Sequence, residues 1–286
     1  MTLCIAVVCK MEAVPTIVTV SDFKLSSKWS SMESRVPKMS NATPDEPYLW
    51  QMLFSGSSTY ALFIRSWALT ILNGQERASR ERLGVVTGAY QDAFQFLLRK
   101  ICADKVLTRY NMDLDAFKKH GLKQFGGNQF EKMCKQIEKI ELETDILLCG
   151  FSVGGGGSIV AIKDPGVIET YEHEGYAAIG AGSYLAEQVL DATFDPHAPK
   201  EEIIYRLCEA KFWGEAAEGV GDSTLITIHN SQGFSSRIST EDAEKIRAEW
   251  QKTAHSLSPN VLALIKNVNP IPTDFPEQKT KKITSF

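Results

Sequence analysis

The stretch MTLCIAVVC (residues 1–9) predicts a strand over residues 3–9 at the start of the chain, and TIVTV (residues 16–20) predicts a second strand after a short loop. Both are rich in apolar and β-branched residues, which favour strands. Neither alternates cleanly between apolar and polar residues, which is typical of sheets that are covered on both faces. Because chain ends usually fray, a strand at this position predicts that the N-terminus is tied into a core.

In the rest of the chain, the spacing of apolar residues divides the sequence into segments that predict either helices or strands. Apolar residues at three- to four-residue spacing predict helices over 57–72 and 78–107, with Ser57 or Ser58 as the first N-cap. Strands resume at DILLCGFSV (145–153), SIVAIKD (158–164), VIETYE (167–172) and YAAIGAG (176–182). Helices from 183 and over 200–218, a strand at 223–230 and a capped helix at 239–254 follow. This order predicts an α+β fold of four layers, αββα, in which two antiparallel sheets pack together between helix pairs.

We expect a single domain over residues 1–268, with a helical insertion at about 111–143 and an extended polar tail at 269–286. The insertion is polar and helical in pattern, and it is interrupted at GLKQFGGNQ (121–129). The glycine run GGGG (154–157) lies between two predicted strands, which favours a hairpin turn over a phosphate-binding loop.

Composition excludes several classes of function. A net charge of −4 over 286 residues gives no electrostatic basis for binding nucleic acid, and no apolar run is long enough for a membrane helix. The six cysteines and five histidines lack the spacing of metal ligands, so we expect no metal and no cofactor. Without a basic n-region or a cleavage site at the start, the expected location is the cytoplasm.

Three residues of the N-terminal part have chemistry that suits one site. Thr2 offers a hydroxyl nucleophile and, once Met1 is removed, a free amine that titrates near ~8 and can take the proton. Lys38 near that hydroxyl would favour alkoxide character, and Asp22 would hold the ammonium in place. Each residue also has an ordinary explanation: a strand residue, a turn residue and a solvated surface charge, respectively.

The N-terminal segments resemble those of proteasome β-subunit-type N-terminal nucleophile (Ntn) hydrolases and of the related peptidase subunit of the bacterial two-component ATP-dependent protease. TLCIAVVC is similar to the family's first strand, and IVTVSDFKLSS to its second strand and substrate-binding segment. PYLWQMLFSGSSTYA is similar to the strand and turn that supply the oxyanion hole. The stretch from DILLCGF to SYLAEQVL is similar to the central hairpin, the AIGSG motif and the third helix.

The resemblance implies the αββα sandwich and a set of site residues. Thr2 would be the nucleophile, supported by Asp22 and Lys38, with the amide of Ser55 or Gly56 as oxyanion donor. Substrate-binding positions would be Leu25, Ser26, Val36 and Leu53, where Ser26 aligns the substrate as an added strand. It also implies a peptide or protein substrate and a homo-oligomeric ring, and it leaves open whether an ATPase partner exists.

Some positions depart from the family pattern. The serine of AIGSG is replaced by Ala181, with Ser183 two residues later, and the second supporting aspartate has only Glu218 or Asp222 as candidates. One residue precedes Thr2 in this sequence, so we expect maturation to need only Met1 removal. We therefore predict a threonine-dependent amidohydrolase, an endopeptidase, and keep a non-catalytic ring subunit as the alternative.

Overall fold

The structure is a computed structural model. It describes residues 2–11, 13–22, 24–27, 30–33, 38–44, 49–152 and 156–254. The chain divides into a unit of residues 1–248 and a second unit of residues 249–286, of which 249–254, the last part of the final helix, are described. The predicted boundary at residue 268 and the predicted tail at 269–286 lie outside the described residues.

Two five-stranded antiparallel sheets form the centre of the first unit, and a separate two-stranded ribbon joins β3 to β4. The first sheet has the order β10-β1-β2-β11-β12, and the second has the order β5-β6-β7-β8-β9. The strands are β1 (Leu3–Cys9), β2 (Thr16–Ser21), β3 (Lys24–Ser27), β4 (Ser30–Glu33), β5 (Met39–Asn41), β6 (Trp50–Gly56), β7 (Thr144–Phe151), β8 (Gly157–Lys163), β9 (Val167–Thr170), β10 (Tyr176–Gly180), β11 (Leu225–Asn230) and β12 (Ser235–Ile238).

Helices cover the outer faces of both sheets. Helices α1 and α2 share a core with the second sheet, and α5 packs on β1 and β2 of the first sheet with α4 beside it. The helices are α1 (Ser58–Asn73), α2 (Leu83–Cys102), α3 (Leu114–Glu138), α4 (Ser183–Thr193), α5 (Lys200–Gly214) and α6 (Thr240–Ala254). The predicted four-layer αββα architecture is therefore confirmed.

Strand β1 shows why the N-terminal stretch decides this architecture. Cys4, Ala6 and Val8 point into the core between the two sheets, where they meet residues of β6, β7 and β8. The alternate residues face the other way: a methyl group added at Gly214, the last residue of α5, would come within 2.3 Å of the Leu3 side chain. Every residue of β1 is buried, so an apolar residue is required at nearly every position.

The ends of helices α2 and α5 differ from the sequence prediction, and one strand is additional to it. Helix α2 begins at Leu83 instead of 78, where the hydroxyl of Ser152 accepts the Leu83 N–H at 3.1 Å. It ends at Cys102 instead of 107, because a π-helical turn over Ala103–Leu107 follows. Helix α5 ends at Gly214 rather than 218. Strand β12 was not predicted, because its sequence, SSRI, is short and mostly polar.

Helix α3 occupies most of the segment predicted as an insertion, and Gly126 within it has a non-helical φ of 72° at the glycine-rich interruption. Its role as an insertion stays a prediction. No helix among the described residues is long and apolar enough to cross a membrane.

The core between the sheets generates a stability prediction. Leu147 of β7 is 0% exposed in that core, whereas Leu122 on α3 is 59% exposed. Leu147→Ala should lower the free energy of unfolding by about 3–5 kcal/mol, since it removes buried methyl groups and leaves a cavity. Leu122→Ala, the matched control, should change it by about 0.5 kcal/mol or less. Urea unfolding measures both, and equal losses for the two variants would contradict this placement of the core.

Candidate active site

The carboxylate of Asp22 lies at the end of β2 and is completely buried. Its Oδ2 accepts the backbone N–H of Leu3 at 3.3 Å and that of Gly221 at 3.0 Å. Its Oδ1 accepts the ammonium of Lys38 at 2.9 Å. A buried carboxylate is costly unless it is paired and hydrogen-bonded, and here three parts of the chain supply its donors.

Lys38 connects this carboxylate to the N-terminal threonine. Its side chain is 1% exposed, and its Nζ donates to Asp22 and to the Oγ1 of Thr2. Its own carbonyl accepts the N–H of Phe54 on β6 at 3.2 Å, which fixes the backbone at the entrance to β5. The structure thus brings Thr2, Asp22 and Lys38 together; their catalytic role stays a prediction.

The backbone of Thr2 is held by the turn between β10 and α4. The N–H of Ala181 donates to the Thr2 carbonyl at 2.9 Å. Gly180 has a φ of +99°, and a Cβ at that position would lie 2.0 Å from the Thr2 carbonyl oxygen. Only glycine permits both this backbone conformation and this close approach. Thr2 itself is 2% exposed.

The predicted oxyanion residues lie where β6 ends before α1. Gly56 has a φ of +80°, and an added Cβ would lie 1.8 Å from the carbonyl oxygen of Glu143, so this position also requires glycine. Ser55 is 3% exposed, and its hydroxyl donates to Asp145 Oδ2 at 3.2 Å. Ser57 caps α1 through the N–H of Tyr60, as predicted. The oxyanion role of Ser55 or Gly56 stays a prediction.

The predicted substrate-binding residues are only partly described. Leu25 and Ser26 lie on the short strand β3, where Ser26 is opposite Ser31 of β4. Val36 lies outside the described residues. Leu53 is 0% exposed and lies in the core between the sheets, packed among other apolar residues. The assignment of these residues to a substrate pocket stays a prediction.

The four predicted supporting residues lie in different environments. Ala181 contributes its backbone N–H to Thr2, and Ser183 is the half-buried first residue of α4. The side chains of Glu218 and Asp222 are exposed. The group that binds Asp22 from this region is instead the backbone N–H of Gly221.

Sequence reasoning missed Lys211, whose buried side chain donates to the carbonyl of Gly221 at 2.7 Å. A signal for it exists in the sequence. Lys211 lies four residues after the fully buried Leu207, which in turn lies four residues after the buried Ile203. A lysine on the buried stripe of a helix indicates a buried charge that needs a partner.

Burial also raises the pKa of two other groups in this region, the thiol of Cys4 and the carboxyl of Asp145. Burial raises the pKa of the Cys4 thiol well above its ordinary value, and the charge of Asp22 raises it further. Cys4 therefore stays a thiol that donates to the carbonyl of Phe54 and does not compete with Thr2 as a nucleophile. Burial likewise raises the pKa of Asp145, although its hydrogen bond from Ser55 acts in the opposite direction.

Within the part of the chain that the structure describes, no group of three or more His, Cys, Asp or Glu side chains could hold a metal ion. The described residues of the candidate site offer instead a hydroxyl, an ammonium, a carboxylate and backbone amides. This set suits general acid–base and nucleophilic chemistry.

Comparison with solved structures identifies the fold. The chain superimposes on Anbu (ancestral beta-subunit) from Yersinia bercovieri with a TM-score of 0.65, covering 95% of this chain and 100% of that chain at 11% sequence identity. The chain has the proteasome-like Ntn-hydrolase fold. No family model matches the chain, and no curated protein sequence shows significant similarity to it. At this level of identity the proteasome-like likeness concerns the fold alone.

The raised pKa of Asp145 generates a pH prediction. Between the ordinary value of 3.8 and the raised value, the folded protein binds more protons than the unfolded chain, so stability is lost as the pH rises through that window. Asp145→Asn carries no charge and can still accept from Ser55. It should be more stable than the wild type at neutral pH, with the difference shrinking as the pH falls toward 3.8.

Urea unfolding over a pH series measures this difference. Asp242→Asn is the control of opposite sign, since hydrogen bonds from Ser239 and Lys245 lower the pKa of Asp242. That variant should be no more stable than the wild type at neutral pH. An Asp145→Asn protein that is less stable than the wild type at neutral pH would contradict the prediction.

Proposed function

We propose that the protein is a threonine-dependent amidohydrolase that cleaves peptide bonds, with Thr2 as its nucleophile. One observation carries the proposal: in a buried site next to the chain start, the Lys38 ammonium donates both to the Thr2 hydroxyl and to Asp22 Oδ1. A cation on a hydroxyl oxygen favours the deprotonated form that attacks a carbonyl. The proteasome-like fold supports the same reaction class by analogy.

The amine of Thr2 is the proposed general base. In the full chain this nitrogen is part of the peptide bond to Met1 and has no useful basicity, so activity requires that Met1 be removed. Thr2 is 2% exposed in the full chain, and the proposal therefore also requires that the site open to substrate after this removal. The amine then accepts the proton of the Thr2 hydroxyl directly or through one water molecule.

The reaction has two steps. Thr2 Oγ1 attacks the carbonyl carbon of the scissile bond, its proton passes to the amine, and the oxyanion accepts a hydrogen bond from the amide of Gly56 or Ser55. Such a preorganised donor contributes about 3–4 kcal/mol. The C–N bond then breaks as the leaving amine takes the proton from the Thr2 ammonium. A water molecule, deprotonated by the same amine, hydrolyses the resulting ester and regenerates Thr2.

The proposed substrate is a peptide or protein in extended conformation. Ser26 on β3 would pair with the substrate backbone as with an added strand, and Leu25, Val36 and Leu53 would line the first specificity pocket. The reaction as written needs no metal and no cofactor. The proposal leaves an ATPase partner open and includes no role for nucleic acid or membrane, and the expected location is the cytoplasm.

A non-catalytic subunit of a proteasome-like assembly is the second candidate. The observation that favours it is Ala181, which offers Thr2 a backbone N–H but no hydroxyl. The exposed side chains of Glu218 and Asp222 likewise leave the predicted second carboxylate unfilled. A buried Lys38–Asp22 pair on a threonine hydroxyl favours the enzyme, because a purely structural subunit has no need for a charge at that position.

A homo-oligomer, in the form of a ring, is part of the proposal. Helices α1 and α2 present three partly exposed aromatic side chains, with Trp67 and Phe96 stacked at 4.5 Å between ring centroids and Phe63 next to Phe96. Leu62, which lies on α1 with Phe63 and Trp67, is 49% exposed. An aromatic patch of this kind is typical of a surface that contacts another protein, and we propose a second copy of the chain as its partner.

The mechanism predicts a graded set of activities. Thr2→Ala should lose hydrolysis, Thr2→Ser should keep part of it, and protein that retains Met1 should be inactive for lack of the amine. Lys38→Ala and Asp22→Asn should each lose about 100-fold or more, because they remove or misplace the charge at the nucleophile. Cleavage of fluorogenic peptides measures the rates, and intact mass after treatment with an epoxyketone, which captures hydroxyl and amine together, measures labelling.

Lys10→Ala is the control for Lys38→Ala, since Lys10 is exposed, and it should keep wild-type activity. Undiminished hydrolysis by Thr2→Ala, or by protein that retains Met1, would rule out the mechanism. A wild-type protein with a free Thr2 amine and no labelling would instead support the non-catalytic candidate.

The assembly proposal predicts that Trp67→Ser dissociates the oligomer, because it removes an aromatic ring from the proposed interface. Phe234→Ser is the control, since Phe234 is 71% exposed and belongs to the β11–β12 turn region instead of this patch. Sedimentation velocity at micromolar concentration measures both. A wild-type protein that sediments only as a monomer would contradict the proposal.

A further inference from the structure

A second buried lysine lies close to the candidate site. Lys211 on α5 is 0% exposed, and its Nζ donates to the carbonyl of Gly221 at 2.7 Å and to Oε1 of Glu215. Burial lowers the pKa of Lys211, against the effect of Glu215. An ammonium in such a position is costly, and a methionine of similar volume would fill the space without this cost. Packing alone therefore does not explain the residue.

Gly221 links this lysine to the candidate site. Its carbonyl accepts from Lys211, and its N–H donates to Asp22 Oδ2 at 3.0 Å. Both polar groups of this one residue are thus engaged, one by an ammonium and one by a carboxylate. From Asp22 the chain of hydrogen bonds continues through Lys38 to Thr2 Oγ1. Four hydrogen bonds therefore join Lys211 to the proposed nucleophile.

A second cation braces the same loop. Arg247 on α6 donates two hydrogen bonds to Glu215, at 2.5 and 2.8 Å, and Glu215 in turn pairs with Lys211. Arg247 also donates to the carbonyl of Asp222 and to Thr224 Oγ1 at 3.2 Å. The loop that carries Gly221 is therefore held by lysine on one helix and arginine on another, with Glu215 shared between them.

We propose that Lys211 is a positioning residue of the Thr2 site: it fixes the Gly221 backbone, which fixes the Asp22 carboxylate and hence the Lys38 ammonium on the hydroxyl. The proposal rests on the proposed function, because it assigns Lys211 a part in that reaction. Lysine suits this role because its long chain reaches from α5 to a carbonyl in the loop. Its charge also strengthens the hydrogen bond that it donates.

The first test is the rate of covalent labelling of Thr2 by an epoxyketone, resolved into a binding constant and a rate constant of reaction. Lys211→Met should lower the rate constant about 10- to 100-fold, as expected for misplaced groups around a nucleophile, with the binding constant within about twofold. Leu207→Ala is the control, since it removes a fully buried side chain one turn earlier on α5. It should lower the thermal midpoint without changing the rate constant of the folded protein.

A double-mutant cycle separates positioning from general destabilisation. If Lys211 acts through Asp22, Lys211→Met should change the labelling rate by less than about twofold in an Asp22→Asn background. If Lys211 only stabilises the fold, its effect should be the same in both backgrounds, and the inference fails.

The second test does not depend on activity. Hydrogen exchange with mass spectrometry, using fragmentation that isolates the Gly221 amide, should show about tenfold faster exchange in Lys211→Met than in the wild type or Leu207→Ala. Unchanged exchange overturns the inference. A labelled wild type together with Lys211→Met labelled at the wild-type rate overturns it too, and leaves the proposed function standing. A wild type with a free Thr2 amine that is not labelled overturns the proposed function and, with it, the part of Lys211 in the reaction.

Discussion

The burial of one carboxylate organises this end of the molecule. Asp22 is out of contact with water, and the free energy of placing its charge there is offset only if donors surround it. They come from β1, from the segment before β5 and from the loop before β11, which lie far apart in the sequence. The three segments must meet for the carboxylate to be satisfied, so the requirement is as much a constraint on folding as on chemistry. Loss of any one donor would leave the charge partly unpaired.

The position of β1 within its sheet makes this arrangement possible. The strand lies between β10 and β2, so the N-terminal segment is hydrogen-bonded along both edges and does not fray as chain ends usually do. Its side chains are buried against the second sheet on one face and near α4 and α5 on the other. Thr2, one residue before the strand, is held in place by the same pairing. In the proposed mechanism, a hydroxyl held this firmly would need little reorganisation before it attacks a carbonyl.

The fold and the grouping of Thr2, Asp22 and Lys38 could be predicted from the sequence better than the contacts that support them. Long apolar segments such as β1 and α1 have a clear period, so their type and order could be predicted. Strand β12 and the ends of α2 and α5 could not, because SSRI has no apolar pattern and because helix ends depend on tertiary partners such as Ser152. The link from Gly221 to Asp22 is donated by a backbone N–H, which leaves no trace in the residue type at position 221. Lys211 left a signal on a buried stripe, but its partner carbonyl lies ten residues away in a loop.

The turn at Ala181 contacts Thr2 through backbone atoms. This matters because the AIGSG pattern has a serine at this position. The turn holds Thr2 through the Ala181 N–H and through the glycine at 180, and neither depends on the side chain at position 181. An alanine at this position therefore leaves the backbone contacts that place Thr2 intact. The charges around Thr2 come from Lys38 and Asp22, and the second buried cation, Lys211, reaches them through Gly221. In the proposed mechanism, the Thr2 amine freed by Met1 removal lies two bonds from the carbon that carries the hydroxyl, so it can take the proton without a hydroxyl at position 181.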